Sequence, residues 1–216
     1  MLEVEFLQIN EYQEYLASWS VLTVDEQVRS RSFRMAQDRM RFQLGRLMVR
    51  KRLSQELNLE PDKVPICQSR LGQPRCLLDG ASQFSITHAG SWVAVGWSDA
   101  PVGVDIEPLS SVLDTGTDIH MLNAPEMETF NTLDCDPIHH RLKLFVAKEA
   151  ALKCLGLGFS VDPRMLKLSE FVRPWHIIAG YYQNTILFVR LENYPSGYLL
   201  GVASQSLDRL AQAKIG

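Results

Sequence analysis

Residues 83–107, QFSITHAGSWVAVGWSDAPVGVDIE, constrain the fold most strongly, because three short apolar segments follow one another there with turn residues between them. Apolar runs of about four to eight residues bounded by Gly, Ser, Asp or Pro are typical of β-strands. The pattern predicts strands over 84–87 and 92–97, a turn over 98–101, and a third strand that contains two acids. This part of the chain is therefore predicted to form a sheet.

The segments that flank these strands favour helix. Residues 23 to about 57 have an apolar stripe at helical spacing with a break near the middle, and Thr23 and Glu26 have the spacing of an N-terminal capping box. Residues 139–158 are rich in Ala, Leu, Lys and Glu and end at two glycines, which predicts a second long helix. The remaining predictions are a loop with one short strand over 58–74, a loop with a short helix over 108–124, and strands over 175–179, 185–191 and 197–204.

Helix followed by strands thus occurs on each side of about residue 103, although no residue-level repeat relates the two parts. The order of elements predicts an α+β protein with two similar halves, residues 1–103 and 104–216. The length of 216 residues fits one large domain or two small ones.

Composition and charge exclude several classes of protein. The chain is 46% hydrophobic and 22% charged, as in soluble globular proteins, and its net charge of −3 argues against bulk attraction to nucleic acid or to an anionic membrane. The first residues, MLEVEFLQIN, do not have the pattern of a signal peptide, and no apolar run is long enough to span a bilayer. The four cysteines lack paired spacing, which predicts free thiols and a cytoplasmic location.

Two carboxylates stand one residue apart in VGVDIEPL. In a strand, Asp105 and Glu107 point to the same face and lie about 7 Å apart. Two interpretations remain open from the residues alone. The acids belong to the solvated side of a half-buried strand, or they form half of a Mg²⁺ site, since this ion prefers carboxylate oxygens.

The second predicted long helix has Glu149 and Lys153 one turn apart on one face. They form an ordinary surface ion pair, or they add a third carboxylate to the first two and a lysine that neutralises a phosphate. Mg²⁺ held by acids and substrate phosphates is a common arrangement in phosphoryl transfer. Similarly, His88 beside Thr87 at the end of a strand is a structural histidine or a donor to a phosphate oxygen.

A basic segment precedes the strands. Nine positive side chains and one acid, Asp38, lie between residues 29 and 52. This segment is a solvated helix face, a phosphate site, a nucleic-acid groove or a docking surface for an acidic protein, with Arg46, Arg50 or Arg52 as the docking candidates. Its few aromatic residues weaken a single-strand stacking role, and the chain has no phosphate-binding glycine fingerprint of the nucleotide-hydrolysing or dinucleotide-binding type.

The order of these motifs resembles that of the 4'-phosphopantetheinyl transferases. In that family, GVDIE is followed downstream by a motif similar to FVAKEAALKCLGLG. FRMAQDRMRFQLGRLMVRKRL, LGQP and FSITHAGSWVAVGW match the surfactin-synthetase-activating branch, in which G-K-P and F-N-x-S-H-S are usual at the last two places. The resemblance covers about residues 25–165.

The resemblance implies two similar α+β halves, a pseudo-dimer in one chain, with the active site in the cleft between them. It implies Mg²⁺-dependent transfer of the 4'-phosphopantetheine arm of coenzyme A to a serine of an acyl or peptidyl carrier protein, with release of adenosine 3',5'-bisphosphate. The implied partners are coenzyme A and an apo carrier protein, without nucleic acid or membrane, and the pseudo-dimeric layout suggests a monomer. The alternatives are an inactive relative that binds coenzyme A or carrier protein, and, less favoured, a nucleic-acid-binding module.

The family motifs carry roles to individual residues of this sequence. Asp105, Glu107 and Glu149 would hold Mg²⁺, and the candidate general base is Glu149 or a metal-bound water that it orients. Lys153 would neutralise the phosphates with help from Lys148. The residues implied to contact coenzyme A are Thr87, His88 and Lys153 at the phosphates, and Arg41 with Arg29 or Arg31 at the 3'-phosphate. Glu126 aligns approximately with a family glutamate near the metal.

Three positions depart from the family pattern. Gln73 replaces the lysine of G-K-P and removes a positive charge from the phosphate pocket, for which Arg75 is the candidate substitute. Thr87 replaces a serine and retains the hydroxyl, with an added methyl group that restricts its rotation. Phe145 replaces a tryptophan, which implies a change in packing only.

Overall fold

The computed structural model describes residues 1–11, 21–114, 116–132, 137–168 and 177–216. Within these residues the strands are β1 Leu2–Gln8, β2 Ile66–Gln68, β3 Pro74–Cys76, β4 Gln83–Ala89, β5 Trp92–Ser98, β6 Val102–Pro108, β7 Lys167–Leu168, β8 Ile177–Tyr182, β9 Thr185–Glu192, β10 Tyr198–Ser204 and β11 Lys214–Ile215. The α-helices are α1 Val24–Arg31, α2 Ala36–Leu57, α3 Gly116–Met121, α4 Ala124–Thr132, α5 Pro137–Cys154 and α6 Leu207–Ala211.

Two mixed layers of helix and sheet make the protein α+β, as predicted. One sheet has the order β11-β1-β5-β4, and its pairs are antiparallel except for the parallel pair of β1 and β11. The other sheet has the order β6-β10-β9-β8-β7 and is antiparallel throughout. The short strands β2 and β3 form a separate hairpin.

Each sheet has one long helix packed on it. Leucines of α2, including Leu44, Leu47 and Leu53, form a buried core with Val95 and Trp97 of β5. Helix α5 packs along β6 and β10 in the same manner. This contact depends on glycine, because a Cβ atom at Gly103 would lie 1.9 Å from the carbonyl oxygen of Ala150.

A third core joins the two sheets. It combines Leu2 and Val4 of β1 with Val104 of β6 and Leu200 and Val202 of β10, all buried. The halves therefore share apolar contacts in addition to the core that each forms with its own long helix.

Strands β4 and β6 are edge strands of different sheets and meet through side chains. The backbone N–H groups of Val104 and Ile106 donate to the hydroxyl oxygens of Ser85 (3.1 Å) and Thr87 (3.3 Å). We call this pair of bonds the hydroxyl seam. It satisfies backbone donors of β6 that its ladder with β10 leaves free.

A repeated set of contacts relates the two halves, although the sequence shows no repeat. Glu26 caps α1 reciprocally with Thr23, and its carboxylate accepts a bond from buried Arg50 of α2 (2.7 Å). Arg50 also donates to the carbonyl oxygens of Pro61 and Val64.

Glu126 repeats this arrangement in the second half. It caps α4 reciprocally with Asn123, and its carboxylate accepts a bond from buried Lys148 of α5 (2.6 Å). Lys148 also donates to the carbonyl oxygens of Pro163 and Leu166. In both halves a capping glutamate, a buried cation of the long helix and a proline-initiated 3-10 turn are thus connected in the same way.

Most predicted elements are confirmed. The predicted break in the first helix is the interval between α1 and α2, and the capping box at Thr23 is present. The segment 58–74 contains the predicted short strand as β2, and it also includes a 3-10 turn at Pro61–Lys63 and the first residue of β3. The predicted strand 175–179 begins at Ile177 as β8, and its first two residues lie outside the described residues. The division at residue 103 stays a prediction, since β6 spans it.

No helix in the described residues is long and apolar enough to cross a membrane.

Candidate active site

Asp105 lies in the middle of the site and is buried between the two halves. Its Oδ1 atom accepts bonds from Lys153 Nζ of α5 (2.7 Å) and from the Thr87 hydroxyl of β4 (3.1 Å). Its Oδ2 atom is buried and has no hydrogen-bond partner among the described residues. A buried carboxylate oxygen without a donor is costly, so this atom is a candidate for binding a cation.

Glu149 is buried on α5, one turn before Lys153. Burial raises the pKa of its carboxyl group to about 7, opposed by Lys153 and reinforced by the nearby charges of Asp105 and Glu107. Glu149 lies close enough to both acids of β6 to feel their charges because α5 packs along that strand. A carboxyl group with a pKa near neutrality can accept and release a proton at physiological pH.

Glu107 is half-buried at the end of β6. The pKa of its carboxyl group is raised by burial and by the charge of Asp105, with Lys153 acting in the opposite direction. The three carboxylates thus repel one another and share one lysine.

These carboxylates fit Mg²⁺ by their chemistry. The described residues contain no group of three or more His, Cys, Asp or Glu side chains that could hold a metal ion. Mg²⁺ is usually bound by one or two carboxylates, with substrate phosphates and water completing its octahedron. The partnerless Asp105 Oδ2 atom beside two raised-pKa acids is suited to that mode of binding.

Cationic and polar groups border the acids on the side of α2. Arg41 donates through Nε to the carbonyl oxygen of Gly90 (3.0 Å) and pairs with Asp38 (2.9 Å), which fixes it beside the turn after β4. His88 lies near the end of β4, and its pKa is lowered by desolvation, then by the charges of Arg41 and Lys153. The structure thus brings Arg41, His88 and Lys153 together around the acids.

The hairpin of β2 and β3 contacts the end of α5. Gln73, at the position of the family lysine, donates through Nε2 to the carbonyl oxygen of Lys153 (2.9 Å). Its amide therefore has a structural bond next to the site. Arg75 is exposed on β3.

The arginines predicted on α1 are both exposed. The guanidinium group of Arg29 lies 5.6 Å from the ring centre of Phe42 on α2. Arg31 is in the last turn of α1.

Lys148 and Glu126 are not among the side chains gathered around Asp105. Lys148 is fully buried, and its Nζ atom donates to Glu126 and to the carbonyl oxygens of Met121, Pro163 and Leu166. The backbone N–H of Leu168 donates to the second oxygen of Glu126 (2.8 Å). The pair links α3, α4 and the segment before β7 to α5.

The prediction that Arg46 and Arg50 form a docking surface is wrong, because both side chains are buried against Glu26. Arg52 is half-buried, pairs with Glu3 (2.9 Å) and lies over the ring of Trp97. Two of the nine basic side chains in this segment, Arg46 and Arg50, are therefore part of the interior of the first half.

The hydroxyl seam was not predicted from the sequence. The signal was present in the strand SITHA, where the hydroxyl residues Ser85 and Thr87 lie on the same face of β4. Their neighbour in space, however, is an edge strand of the other sheet, and sequence alone does not identify it.

Comparisons with known proteins agree with the earlier resemblance. The family model described as the 4'-phosphopantetheinyl transferase superfamily matches residues 101–202, and the model described as 4'-phosphopantetheinyl transferase, N-terminal, matches residues 10–98. Together they account for most of both halves.

Individual relatives have similar descriptions. The chain is 30% identical over 115 residues to the 4'-phosphopantetheinyl transferase gsp of Aneurinibacillus migulanus (52% of this chain, 48% of the relative). It is 27% identical over 153 residues to a phosphopantetheinyl transferase of Thraustochytrium sp. (63% and 53%). It is 29% identical over 193 residues to the 4'-phosphopantetheinyl transferase ffp of Bacillus subtilis (88% and 84%). The chain thus spans about half the length of the first two relatives and most of the third.

Proposed function

Because the chain belongs to the 4'-phosphopantetheinyl transferase superfamily, we propose that it transfers the 4'-phosphopantetheine arm of coenzyme A to a serine of an acyl or peptidyl carrier protein. The single observation that carries this proposal is the convergence of Asp105, Glu107, Glu149 and Lys153 where β6 and α5 meet β4. The products are the holo carrier protein and adenosine 3',5'-bisphosphate.

In this reaction the serine oxygen bonds to the phosphorus that carries the pantetheine arm. The bond from that phosphorus to the bridging oxygen of the pyrophosphate breaks, and the bridging oxygen leaves with adenosine 3',5'-bisphosphate. Negative charge grows on the leaving phosphate, and cationic groups placed there stabilise the transition state more than the ground state. Lys153 is the proposed cation at this place.

Asp105, Glu107 and Glu149 are the proposed ligands of Mg²⁺. When bound, the ion would neutralise the pyrophosphate and favour its departure. Arg41 and His88 are proposed to contact the phosphates of coenzyme A, with Arg29 or Arg31 at the 3'-phosphate and Arg75 as a further candidate. The position of Arg41 beside the turn after β4 supports the first two assignments.

The serine must lose a proton, and Glu149 is the proposed acceptor. Burial beside Asp105 and Glu107, which raises the pKa of this carboxyl group to about 7 in the metal-free protein, supports a basic group at this position. Glu149→Gln is expected to abolish transfer while coenzyme A binding largely survives. Equal loss of both would make Glu149 a ligand only.

Free thiols at Cys67, Cys76 and Cys154 support a reducing cytoplasm as the proposed location. The apolar core that the two halves share supports a monomer as the proposed active form.

Intact-mass spectrometry of an apo carrier protein tests the proposal. Incubation with this protein, coenzyme A and Mg²⁺ is expected to add one phosphopantetheine, and the gain is expected to disappear with EDTA or with Asp105→Ala. No gain across several carriers, despite measurable coenzyme A binding, would instead indicate a relative that binds without transferring.

A further inference from the structure

We propose that Thr87 is a positioning residue, whose hydroxyl group orients the Asp105 carboxylate and does not itself bind a phosphate of coenzyme A. The inference rests on the proposed function only in taking Asp105 as part of a cation site. It concerns a group that the family resemblance would place against the substrate.

The donors and acceptors around Thr87 allow only one hydrogen-bonding arrangement for its hydroxyl group. A threonine hydroxyl has one proton to donate and two lone pairs. The N–H of Ile106 can only donate, so the Thr87 oxygen accepts that bond (3.3 Å). An ionised carboxylate can only accept, so the proton of Thr87 points to Asp105 Oδ1 (3.1 Å). A phosphate oxygen, which also accepts, would have to displace Asp105 from this proton.

The two bonds of Thr87 act on neighbouring residues of β6. One bond holds the backbone at Ile106, and the other holds the side chain of Asp105. The position of the carboxylate is therefore fixed relative to β4, a strand of the other sheet. Thr87 is itself buried, and its β-branched side chain has restricted rotation about χ1. The hydroxyl is therefore held in place and is not a free rotor.

As a result, the two carboxylate oxygens of Asp105 differ in their hydrogen bonding. Oδ1 receives both bonds, from Thr87 and from Lys153, while Oδ2 has no partner among the described residues. Without the Thr87 hydroxyl, only Lys153 would hold Oδ1, and the carboxylate plane would be free to turn about that single contact. We expect the affinity for a divalent cation to depend on this bond, since supporting hydrogen bonds tune the ligands they orient.

Ser85 provides a matched control in the same strand. Its hydroxyl accepts the equivalent bond from the N–H of Val104 (3.1 Å), and Val104 has no carboxylate. Ser85→Ala thus removes one bond of the hydroxyl seam without touching Asp105. Thr87→Val removes the hydroxyl and preserves the shape of the side chain, whereas Thr87→Ser preserves the hydroxyl.

The experiment measures Mn²⁺ binding to the full chain by electron paramagnetic resonance, with and without coenzyme A, alongside the melting temperature of each variant. Thr87→Val is expected to weaken Mn²⁺ binding about tenfold, the lower end of the loss found when a group that orients a metal ligand is removed. Thr87→Ser is expected to recover most of that affinity. Ser85→Ala is expected to lower the melting temperature and to leave Mn²⁺ binding within about twofold of the wild type, as its bond does not reach the carboxylate.

Three outcomes would overturn the inference. Equal weakening of Mn²⁺ binding by Ser85→Ala and Thr87→Val would reduce the hydroxyl to a link between strands. Unchanged Mn²⁺ binding in Thr87→Val, with weaker coenzyme A binding measured in EDTA, would assign the hydroxyl to a phosphate. Failure of the wild type to bind Mn²⁺ in either condition would remove the site, whereas Mn²⁺ binding without transfer to any carrier would overturn the proposed function alone.

Discussion

Glu149 illustrates how surroundings change the behaviour of one carboxyl group. Its ordinary pKa of 4.5 rises to about 7 in the folded protein, chiefly through burial. Between these two values the folded state binds more protons than the unfolded state. The free energy of unfolding therefore falls as pH increases from 4.5 to 7, and the loss is complete above the folded pKa.

Glu149→Gln should remove this decrease in the free energy of unfolding with pH. In EDTA, the variant is expected to be more stable than the wild type by about 3 kcal/mol at pH 8 and not at pH 4.5, because an uncharged amide avoids the cost of ionisation. Urea unfolding followed by circular dichroism at several pH values measures the difference. A stability gap that does not change with pH would contradict the assigned pKa.

Lys148 neighbours Glu149 in sequence and has a different environment. Its pKa is lowered by burial, while the charge of Glu126 and the bond to it act in the opposite direction. Lys148→Met is expected to destabilise the protein by about 3–5 kcal/mol, because the Glu126 charge would remain buried without its partner. Chemical denaturation measures the change.

The double variant Lys148→Met, Glu126→Gln is the control for that experiment. It should recover part of the lost stability, since neither charge is then left alone. A Lys148→Met variant with full stability and no transfer activity would instead support the assisting catalytic role that the family resemblance implies.

At the scale of elements, the contact of β6 with α5 places Asp105 and Glu107 beside Glu149 and Lys153. Gly103 permits the approach, since a Cβ atom there would also lie 2.4 Å from the backbone nitrogen of Cys154. Backbone atoms of a packed helix cannot move away as the end of a flexible side chain can.

Gly103→Ala is therefore expected to destabilise the protein by about 3 kcal/mol and to weaken cation binding, because α5 must shift from β6. Gly116→Ala is the matched control. Its Cβ atom would meet only ordinary contacts at 3.9 Å or more, and alanine favours the helix there. Thermal unfolding of both variants measures the effect, and equal melting temperatures would contradict the close approach.

Elements with local signals were predictable from the sequence. The capping box at Thr23 and Glu26 needs only a three-residue spacing, and the helix with Glu149 and Lys153 has both composition and stop signals. The place of Lys148 was not predictable, because adjacent helical residues point in directions about 100° apart and its partners lie far along the chain. The same limit applies to the hydroxyl seam.

The repeated contacts of Glu26 and Glu126 were hidden for a related reason. An arginine serves one half and a lysine the other, and the capping residues are Thr23 and Asn123. Residues of similar chemistry thus make the same contacts in both halves, although the two sequences show no repeat.

At the scale of the whole molecule, each half depends on the other. The first sheet includes β11 from the end of the chain, and the core between the sheets takes residues from both halves. Residues 1–101 made alone would lack these contacts and expose apolar surface.

We expect this fragment to lack a cooperative unfolding transition, and we expect co-expression with residues 102–216 to restore one. Circular dichroism and limited proteolysis of the fragment, alone and with its complement, measure the outcome. A fragment that unfolds cooperatively by itself would show that the shared core is dispensable to the first half.

The hydroxyl seam allows hydrogen exchange to report on the contact between the two sheets. The amide protons of Val104 and Ile106 are bonded across the boundary between the sheets, so they become open to deuterium when the two halves part, even if each sheet stays intact. Amides within the β6–β10 ladder should exchange only when the second sheet itself opens. The ratio of the two exchange rates would therefore report how often the halves separate in the native protein, and how far a bound substrate slows that breathing.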